Sequence, residues 1–423
     1  MHILLVADGR SPITSRWIQG LLALEHQITL VSTYPCADMP GVLAQHVLPV
    51  AFAAMGGSQA GGGGARTSNR RWLVSRARNI FQAGRYWLGP LTLPTYARAL
   101  RKILADACPD LVHALRIPYE GMLAAAAEPD VPLVVSVWGN DLTLHAPTTA
   151  AMRSWTRRTL LRANGLLADA GRDLRLAHSW GYAADRPGLV VPGNGGIDLA
   201  EMDQAQDALP GTFSNLLPAG VPLVVNPRGL RPAYVRNDVF FQAIPLVLQH
   251  RPEVYFVCPT MEGQSEAMSW VRRLKLEKNV RLLPYLRQSQ MWELFQRAEV
   301  SVSISTHDGT PNTLLEAMAC GCFPVVGDLE ALREWITPGV NGLLVEATKP
   351  QHVAESILLA INQPALRAQA AEINRWLVLE RAEIQGVRAR LRDFYTQFEG
   401  DAQAAEAPPE KKTVRRPFRF IGR

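Results

Sequence analysis

Short apolar runs recur along the chain, separated by longer stretches whose apolar positions fall three and four residues apart. In the first half, the runs 3–7, 27–32, 111–114, 133–137, 165–168 and 189–191 predict buried strands. Between them, the period over 14–24, 97–107 and 150–162 predicts amphipathic helices. A second series repeats the rhythm, with strands over 223–226, 254–258, 280–283, 300–304, 323–326 and 342–345. Its helices are predicted over 239–250, 263–276, 288–297, 311–320 and 352–362. Strands alternating with helices call for parallel sheets covered on both faces. A chain of 423 residues is also too long for one ordinary core. The expected fold is α/β: two doubly wound domains, residues 1–200 and 201–370, with a cleft where the C-terminal ends of both sets of strands face each other.

Three segments break the rhythm. Gly56-Gly57 and Gly61-Gly62-Gly63-Gly64 predict a mobile loop over 55–69, because glycine loses the most backbone freedom on ordering. No helix start follows directly, so this is not a phosphate cradle. Asn194-Gly195-Gly196 and the polar residues up to about Gly220 predict a hinge. Past Gln363 the pattern is helical, with Trp376, Val387, Leu391 and Phe394 as expected buried positions, and residues 399–423 predict a disordered tail.

Charge adds candidate partners. The net +6 is modest, but Arg66, Arg70, Arg71, Arg76, Arg78 and Arg85 crowd the segment 66–88, and Lys411, Lys412, Arg415, Arg416, Arg419 and Arg423 crowd the tail. No nucleic-acid module accompanies them, so nucleic acid is not an expected partner. Arginines interleaved with Trp72, Phe81, Tyr86, Trp87 and Leu88 suit an anionic membrane surface; a solvated basic face is the alternative. The first residues lack the pattern of a signal peptide, and no apolar run is long enough to cross a bilayer. Five scattered cysteines fit a reducing compartment, so a cytoplasmic protein is expected, peripheral on the inner face of the cell membrane if the basic clusters bind lipid. Cys320-Gly321-Cys322 lacks the ligand number of a structural zinc site, and no metal is expected there.

The segment after the strand at 300–304 carries the densest chemistry. Thr310 is placed to cap a helix that begins at Pro311 and stops at Gly321. A helix start at the C-terminal edge of a sheet suits a phosphate, which would face Gly309, Thr310, Pro311, Asn312 and Thr313. Asp308 before the helix and Glu316 in its second turn are acceptors for hydroxyl groups on either side of that phosphate.

The run from Asp308 to Gly321 resembles the signature of the retaining glycosyltransferases of family four, whose acidic pair is spaced E-x7-E. The resemblance implies two facing Rossmann-like domains (the GT-B architecture), with a C-terminal helix over 371–398 that crosses back onto the first. It puts the donor-sugar role on Asp308, one methylene shorter than the usual Glu, and the ribose role on Glu316. Residues 1–9 are similar to the family's first strand and glycine turn, with Gly9 beside the ligand. Residues 109–114 are similar to its central strand, with His113 either a strand-end residue or an acceptor-side group. Residues 132–141 are similar to the strand that often ends His-Gly-x-Asp; here Trp138 replaces the His, as a stacking surface or core, and Asp141 keeps its place.

Arg228-Gly229-Leu230 looks like the family's Gly-Arg-Leu with two residues exchanged. Tyr234 stands at its lysine position, which leaves Arg231 or Arg236 to supply the second cation beside Arg228. Tyr285 falls in the segment that lines the base. The implied activity is transfer of a sugar, with retention, from a nucleoside diphosphate sugar to a polysaccharide, lipid-linked or small-molecule acceptor. No cofactor and no divalent metal are implied. A catalytically inactive nucleotide-binding module is the alternative, for which Trp138 and Tyr234 speak. A nicotinamide enzyme is a poor fit, because Ala7-Asp8-Gly9-Arg10-Ser11-Pro12 lacks the Gly-x-Gly-x-x-Gly turn.

Overall fold

A computed structural model places the chain around two parallel sheets. It describes residues 1–53, 68–208, 213, 216–231 and 234–399, with side chains omitted over 68–83, at 194 and over 206–208. Most of the Gly-rich segment, Arg66 and the tail from 400 onward lie outside the described residues, as do the side chains of the arginines from 70 to 78.

The first sheet comprises β1 (His2–Ala7), β2 (Gln27–Ser32), β3 (Ala44–Val47), β4 (Leu111–Leu115), β5 (Leu133–Val137), β6 (Gly165–Ala168) and β7 (Gly188–Val190), in the order β3-β2-β1-β4-β5-β6-β7. The second comprises β8 (Leu223–Val225), β9 (Tyr255–Cys258), β10 (Val280–Leu282), β11 (Val300–Ser303), β12 (Phe323–Gly327) and β13 (Leu343–Val345), in the order β10-β9-β8-β11-β12-β13. Both orders run outward in two directions from one strand, the doubly wound arrangement of two Rossmann-like domains. In such sheets the crevice opens where the order reverses, between β1 and β4 and between β8 and β11.

Burial on both faces explains the uninterrupted apolar strands. Along β1, Leu4 and Val6 join one core, while Ile3, Leu5 and Ala7 join the core on the other side. β3 has no such run: it is an edge strand whose residues are half-buried or exposed, which is why periodicity did not predict it. The helix predicted over 97–107 starts much earlier and runs Ser68–Ala107, so residues 68 and 69 open a helix rather than close a loop.

The single helix expected over 371–398 is two. Pro364–Ala382 packs Val378 and Ala382 on the second domain with Leu315, Met318 and Trp335. Ile384–Thr396 packs Val387, Leu391 and Phe394 on the first domain with Ile3 and Leu5. Between them Glu383 is extended and caps the second helix, its carboxylate accepting from the amides of Gln385 and Gly386. Ile197 bonds this break from the other crossing strand, donating to Ala382 O (2.8 Å) and accepting from Ile384 N (3.0 Å). Gly196, at φ 97°, is needed here because a β-carbon would stand 2.8 Å from Ile384 Cα. Trp376 is 58% exposed rather than core, because the break resets the helical phase. Beyond Gly196 the expected polar hinge instead holds the helix Leu199–Ala208. Among the described residues no helix is long and apolar enough to cross a membrane.

Candidate active site

The chain after β8 and the chain after β11 meet at the second domain's reversal point. Arg228 Nη2 lies 2.7 Å from Asp308 Oδ2, with side chains 8% and 15% exposed. Ser305 Oγ donates to the same carboxylate oxygen at 3.0 Å. Asn226 supports the turn by accepting from Arg228 N (3.3 Å), and Gly229 adopts φ 60°, a region that favours glycine. Arg228 Nε is buried without a hydrogen-bond partner in the protein. So is Thr313 Oγ1, in the first turn of the helix that follows.

That helix is Asn312–Ala319, and its cap is Pro311 rather than Thr310. Pro311 is extended (φ −66°, ψ 133°), so the helix begins one residue later than the capping pattern suggested. Thr310 is buried and its Oγ1 accepts from Trp335 Nε1 at 3.1 Å, a core contact in place of a cap. Glu316, 6% exposed, accepts from Gln288 Nε2 at 2.9 Å. Burial pushes its carboxyl above the ordinary range, with Arg16 of the first domain and Gln288 pulling the other way. Gln288 in turn lines a pocket of about 260 Å³ between the domains, with Arg16, Gly196, Asp198 and Arg388.

Of the other second-domain candidates, Arg231 lies within electrostatic reach of Asp308, and the other two are engaged or exposed elsewhere. Arg236 is held by Asp238 through two bonds of 2.7 and 2.8 Å. Arg231 is exposed and bonds Tyr234 Oη at 3.2 Å. Tyr285, past the end of β10, is 73% exposed.

Across the cleft the two domains touch backbone to backbone. A β-carbon on Gly139, just past β5, would collide with Gly309 N and Cα, and one on Gly309 would collide with the Asp169 carboxylate. Asp169 follows β6, and its Oδ1 is buried with no partner in the protein. Burial, and then the charge of neighbouring Asp173, hold its carboxyl well above the usual carboxylate range. Arg172 pins this corner, donating to Asp173 Oδ1 (2.6 Å) and to Gly139 O (2.7 Å). Glu334 of the second domain accepts from the amides of Gly171 (2.9 Å) and Arg172 (2.7 Å), which start the helix Gly171–Ser179. This contact, with the Arg175–Glu330 ion pair beside it, latches the domains together.

The first domain's reversal point holds a cavity of about 270 Å³ lined by Asp8, Tyr34, Arg85, Arg116, Glu120, Trp138 and His145, among others. Arg116 adopts φ 97° and ψ 160°, a backbone region nearly reserved for glycine. Asp141 holds it there, 1% exposed, accepting from Arg116 Nη2 (2.7 Å), Ile117 N (3.0 Å) and Trp138 N (3.2 Å). Asp141 thus positions two cavity-lining residues and is itself enclosed. Trp138 is not core: its ring lines the cavity, 4.9 Å from the Arg116 guanidinium.

Two expectations are corrected here. His113 lies in the middle of β4, fully buried, with Nε2 bonded to Ser136 Oγ and Nδ1 to Tyr395 Oη, both at 2.9 Å. Burial lowers its pKa to about 3, and it joins the last helix to the first sheet rather than facing an acceptor. At Gly9 the space of a side chain is filled by Cys36 and Ser32, so this glycine serves loop packing. Asp8, Arg116, Glu120, His145 and Asp169 were not singled out from the sequence, and Arg85, counted there in the basic cluster expected to meet a membrane, lines this cavity instead. Asp8, Arg116 and Asp169 each directly follow a strand, and that position at a sheet's C-terminal edge was the signal available.

Comparison with known proteins bears on the fold and the family. Residues 9–195 match the glycosyl transferase 4-like domain, and residues 216–375 match the glycosyl transferases group 1 domain. Over 88 residues the chain is 31% identical to D-inositol 3-phosphate glycosyltransferase of Streptosporangium roseum, a stretch covering 21% of this chain and 20% of that protein. Matches to curated relatives span 20 to 58% of their lengths. The fold is similar over nearly the whole chain to sucrose-phosphate synthase of Thermosynechococcus elongatus (TM-score 0.70, 14% identity, 95% of this chain and 100% of that one). It is likewise similar to Anabaena HepE in complex with UDP-glucose (TM-score 0.64, 17% identity, 94% and 100%). With both domains matched in order and the fold similar over nearly the whole chain, the chain belongs to the GT-B glycosyltransferases of the family 4 type.

Proposed function

We propose that the protein transfers a sugar from a nucleoside diphosphate sugar to a hydroxylated acceptor, with retention and without a cofactor or divalent metal. The observation that carries this reading is the buried Arg228–Asp308 pair, whose arginine leaves Nε without a partner in the protein and whose aspartate lies four residues of chain before a helix start. In this reading the diphosphate sits on Arg228 and the first turn at Asn312 and Thr313, Asp308 and Gly309 meet the donor sugar, and Glu316 with Gln288 takes the ribose. The bond between the anomeric carbon and the diphosphate oxygen breaks as the acceptor oxygen bonds on the same face. The acceptor proton passes to the departing phosphate. Charge developing on that phosphate is met by fixed donors, which need no reorganisation at the moment of reaction.

Calorimetry with UDP, GDP and ADP tests the reading, followed by transfer assays with and without EDTA. One of these nucleotides should bind the wild type. Glu316→Ala should weaken that nucleotide at least about tenfold, by removing charged hydrogen bonds to the ribose. Equal affinity in the variant would remove the ribose role. Binding without turnover would favour the inactive-module alternative, which Tyr234 in the lysine position supports.

We further propose a cytoplasmic protein that rests on an anionic membrane. Trp87, Leu88 and Leu91 are 68, 52 and 72% exposed on the helix Ser68–Ala107. That helix packs against Ala150–Arg162, which presents Arg153 and Arg157 along a surface groove. Apolar and cationic side chains together match the interface of such a membrane. The protein should sediment with phosphatidylglycerol vesicles and not with phosphatidylcholine ones; no difference between them would sink the idea.

A further inference from the structure

The first-domain cavity has more chemistry than sugar transfer alone requires. Three of the residues that line it each carry a buried polar atom with no hydrogen-bond partner in the protein: Arg85 Nε, Arg116 Nε and Glu120 Oε2. Buried donors and acceptors are rarely left unmatched, so a site holding both kinds is built for a ligand that presents both.

The charges around it are unequally satisfied. Arg116 is neutralised by Asp141 at 2.7 Å, and Asp8 by Arg10 at 3.0 Å. Arg85 has no carboxylate partner among the described residues. Its guanidinium instead lies 5.6 Å from the Tyr34 ring and 5.2 Å from the Tyr119 ring. Aromatic faces hold a cation in place without cancelling its charge. Tyr119 Oη is spent on Arg85 O (2.6 Å), which fixes the backbone that carries this side chain. His145 cannot compensate as an anion and is no competing cation: burial, and then Arg116 and Arg85, lower its pKa to about 3, while its Nδ1 is taken by Tyr86 Oη at 2.7 Å.

Glu120 supplies the opposite function. It is 3% exposed, and its Oε1 is occupied by the Thr33 hydroxyl at 2.7 Å, which leaves Oε2 without a partner on a residue that lines the cavity. Burial raises its pKa to about 7, against the pull of Arg116, so near neutral pH it can accept or give a proton in a hydrogen bond. Trp138 adds a flat wall of the kind on which a sugar face packs. A cavity of about 270 Å³ is at the small end of ligand pockets, with room for one ring and one substituent.

We infer that this cavity receives an acceptor in which a hydroxylated ring carries an acidic group, phosphate or carboxylate, with the acidic group on Arg85 and a ring hydroxyl on Glu120 Oε2. A neutral acceptor would leave a cation desolvated and unmatched, whereas an anion there makes charge-assisted bonds. The inference rests on the sugar-transfer reading and narrows its acceptor. The acidic group has two sources, a free sugar acid or sugar phosphate and a lipid-linked diphosphate sugar.

Titration calorimetry on the full chain distinguishes them. The probes are glucose, galactose and mannose, their 6-phosphates, their uronic acids, and the same sugars linked through diphosphate to a farnesyl chain. At least one acidic probe should bind about tenfold or more tightly than its neutral parent. Arg85→Gln should cost the acidic probe at least about tenfold more affinity than it costs the neutral parent, and Glu120→Gln should weaken both. Preference for the free acids assigns a soluble acceptor, and preference for the farnesyl compounds assigns a lipid-linked one. No preference for acidic over neutral probes, no binding by any probe, or an equal loss for both classes in Arg85→Gln overturns the inference. Titration of UDP, GDP and ADP on the same samples separates the two readings: acidic sugars binding without any nucleotide would sink sugar transfer and spare this site.

Discussion

Arg228→Ala should lower kcat by about 10²–10³, the usual cost of deleting one preorganised donor to a developing anion. The variant also leaves Asp308 without its cation in a place where that carboxylate is only 15% exposed. Breaking one side of a buried pair costs about 3–5 kcal/mol, so a loss of stability would accompany the loss of rate. The two effects are separable. In Arg228→Ala/Asp308→Ala the unpaired charge is gone, and thermal stability should return most of the way to wild type. Turnover should not, since the leaving diphosphate still lacks its guanidinium and the donor sugar now lacks Asp308 as well. Thermal melts and initial rates on the three proteins check this. A double variant that regains turnover along with stability would mean that the pair merely holds the loop, and the roles of both Arg228 and Asp308 would be withdrawn. Arg228→Lys is informative in the same series, because a lysine restores charge without the two-pronged geometry that serves a carboxylate and a phosphate at once.

The contrast between the two halves of the site shows what local sequence can carry. Asp308 and Glu316 were visible because strand, turn, helix start and carboxylates lie within one short run, where spacing alone fixes relative position. The strands were visible for a related reason: buried on both faces, they appear as unbroken apolar runs, while the half-exposed edge strand Ala44–Val47 carries no such mark. The first-domain cavity had no local signature. Its walls come from Asp8, Tyr34, Arg85, Glu120, Trp138 and His145, which only the order β1-β4-β5 brings together. His113 was misjudged in the opposite direction: polar and near a strand end in sequence, it faces Trp17 and Tyr395 in the core. Its partner Tyr395 lies 282 residues away, on a helix whose return to the first domain depends on the break at Glu383. Arg236 failed for a nearer reason, since Asp238, two residues on, already occupies its guanidinium.

Gly139→Ala should damage transfer by at least about 10²-fold, although residue 139 bears no functional side chain. The added methyl would occupy the place of the Gly309 backbone, and neither backbone can yield as a side-chain tip would. Either the domains part, or the loop that carries Asp308 shifts by about an ångström, and a displacement of that size at a reacting centre is enough to cost two orders of magnitude. Nucleotide affinity should fall far less, because Arg228, Thr313 and Glu316 all belong to the second domain. The expected signature is therefore a low kcat with a nearly unchanged nucleotide dissociation constant, and a radius of gyration by solution scattering larger than that of wild type. Gly386→Ala is the matched comparison: nothing lies within 4 Å of a β-carbon there, and it sits inside the helix Ile384–Thr396. An alanine in that helix should leave transfer intact and add about 0.5–1 kcal/mol of stability. If Gly139→Ala turns over at the wild-type rate, the close approach of Gly139 to Gly309 is not part of the reacting geometry, and the cleft must work in a more open form.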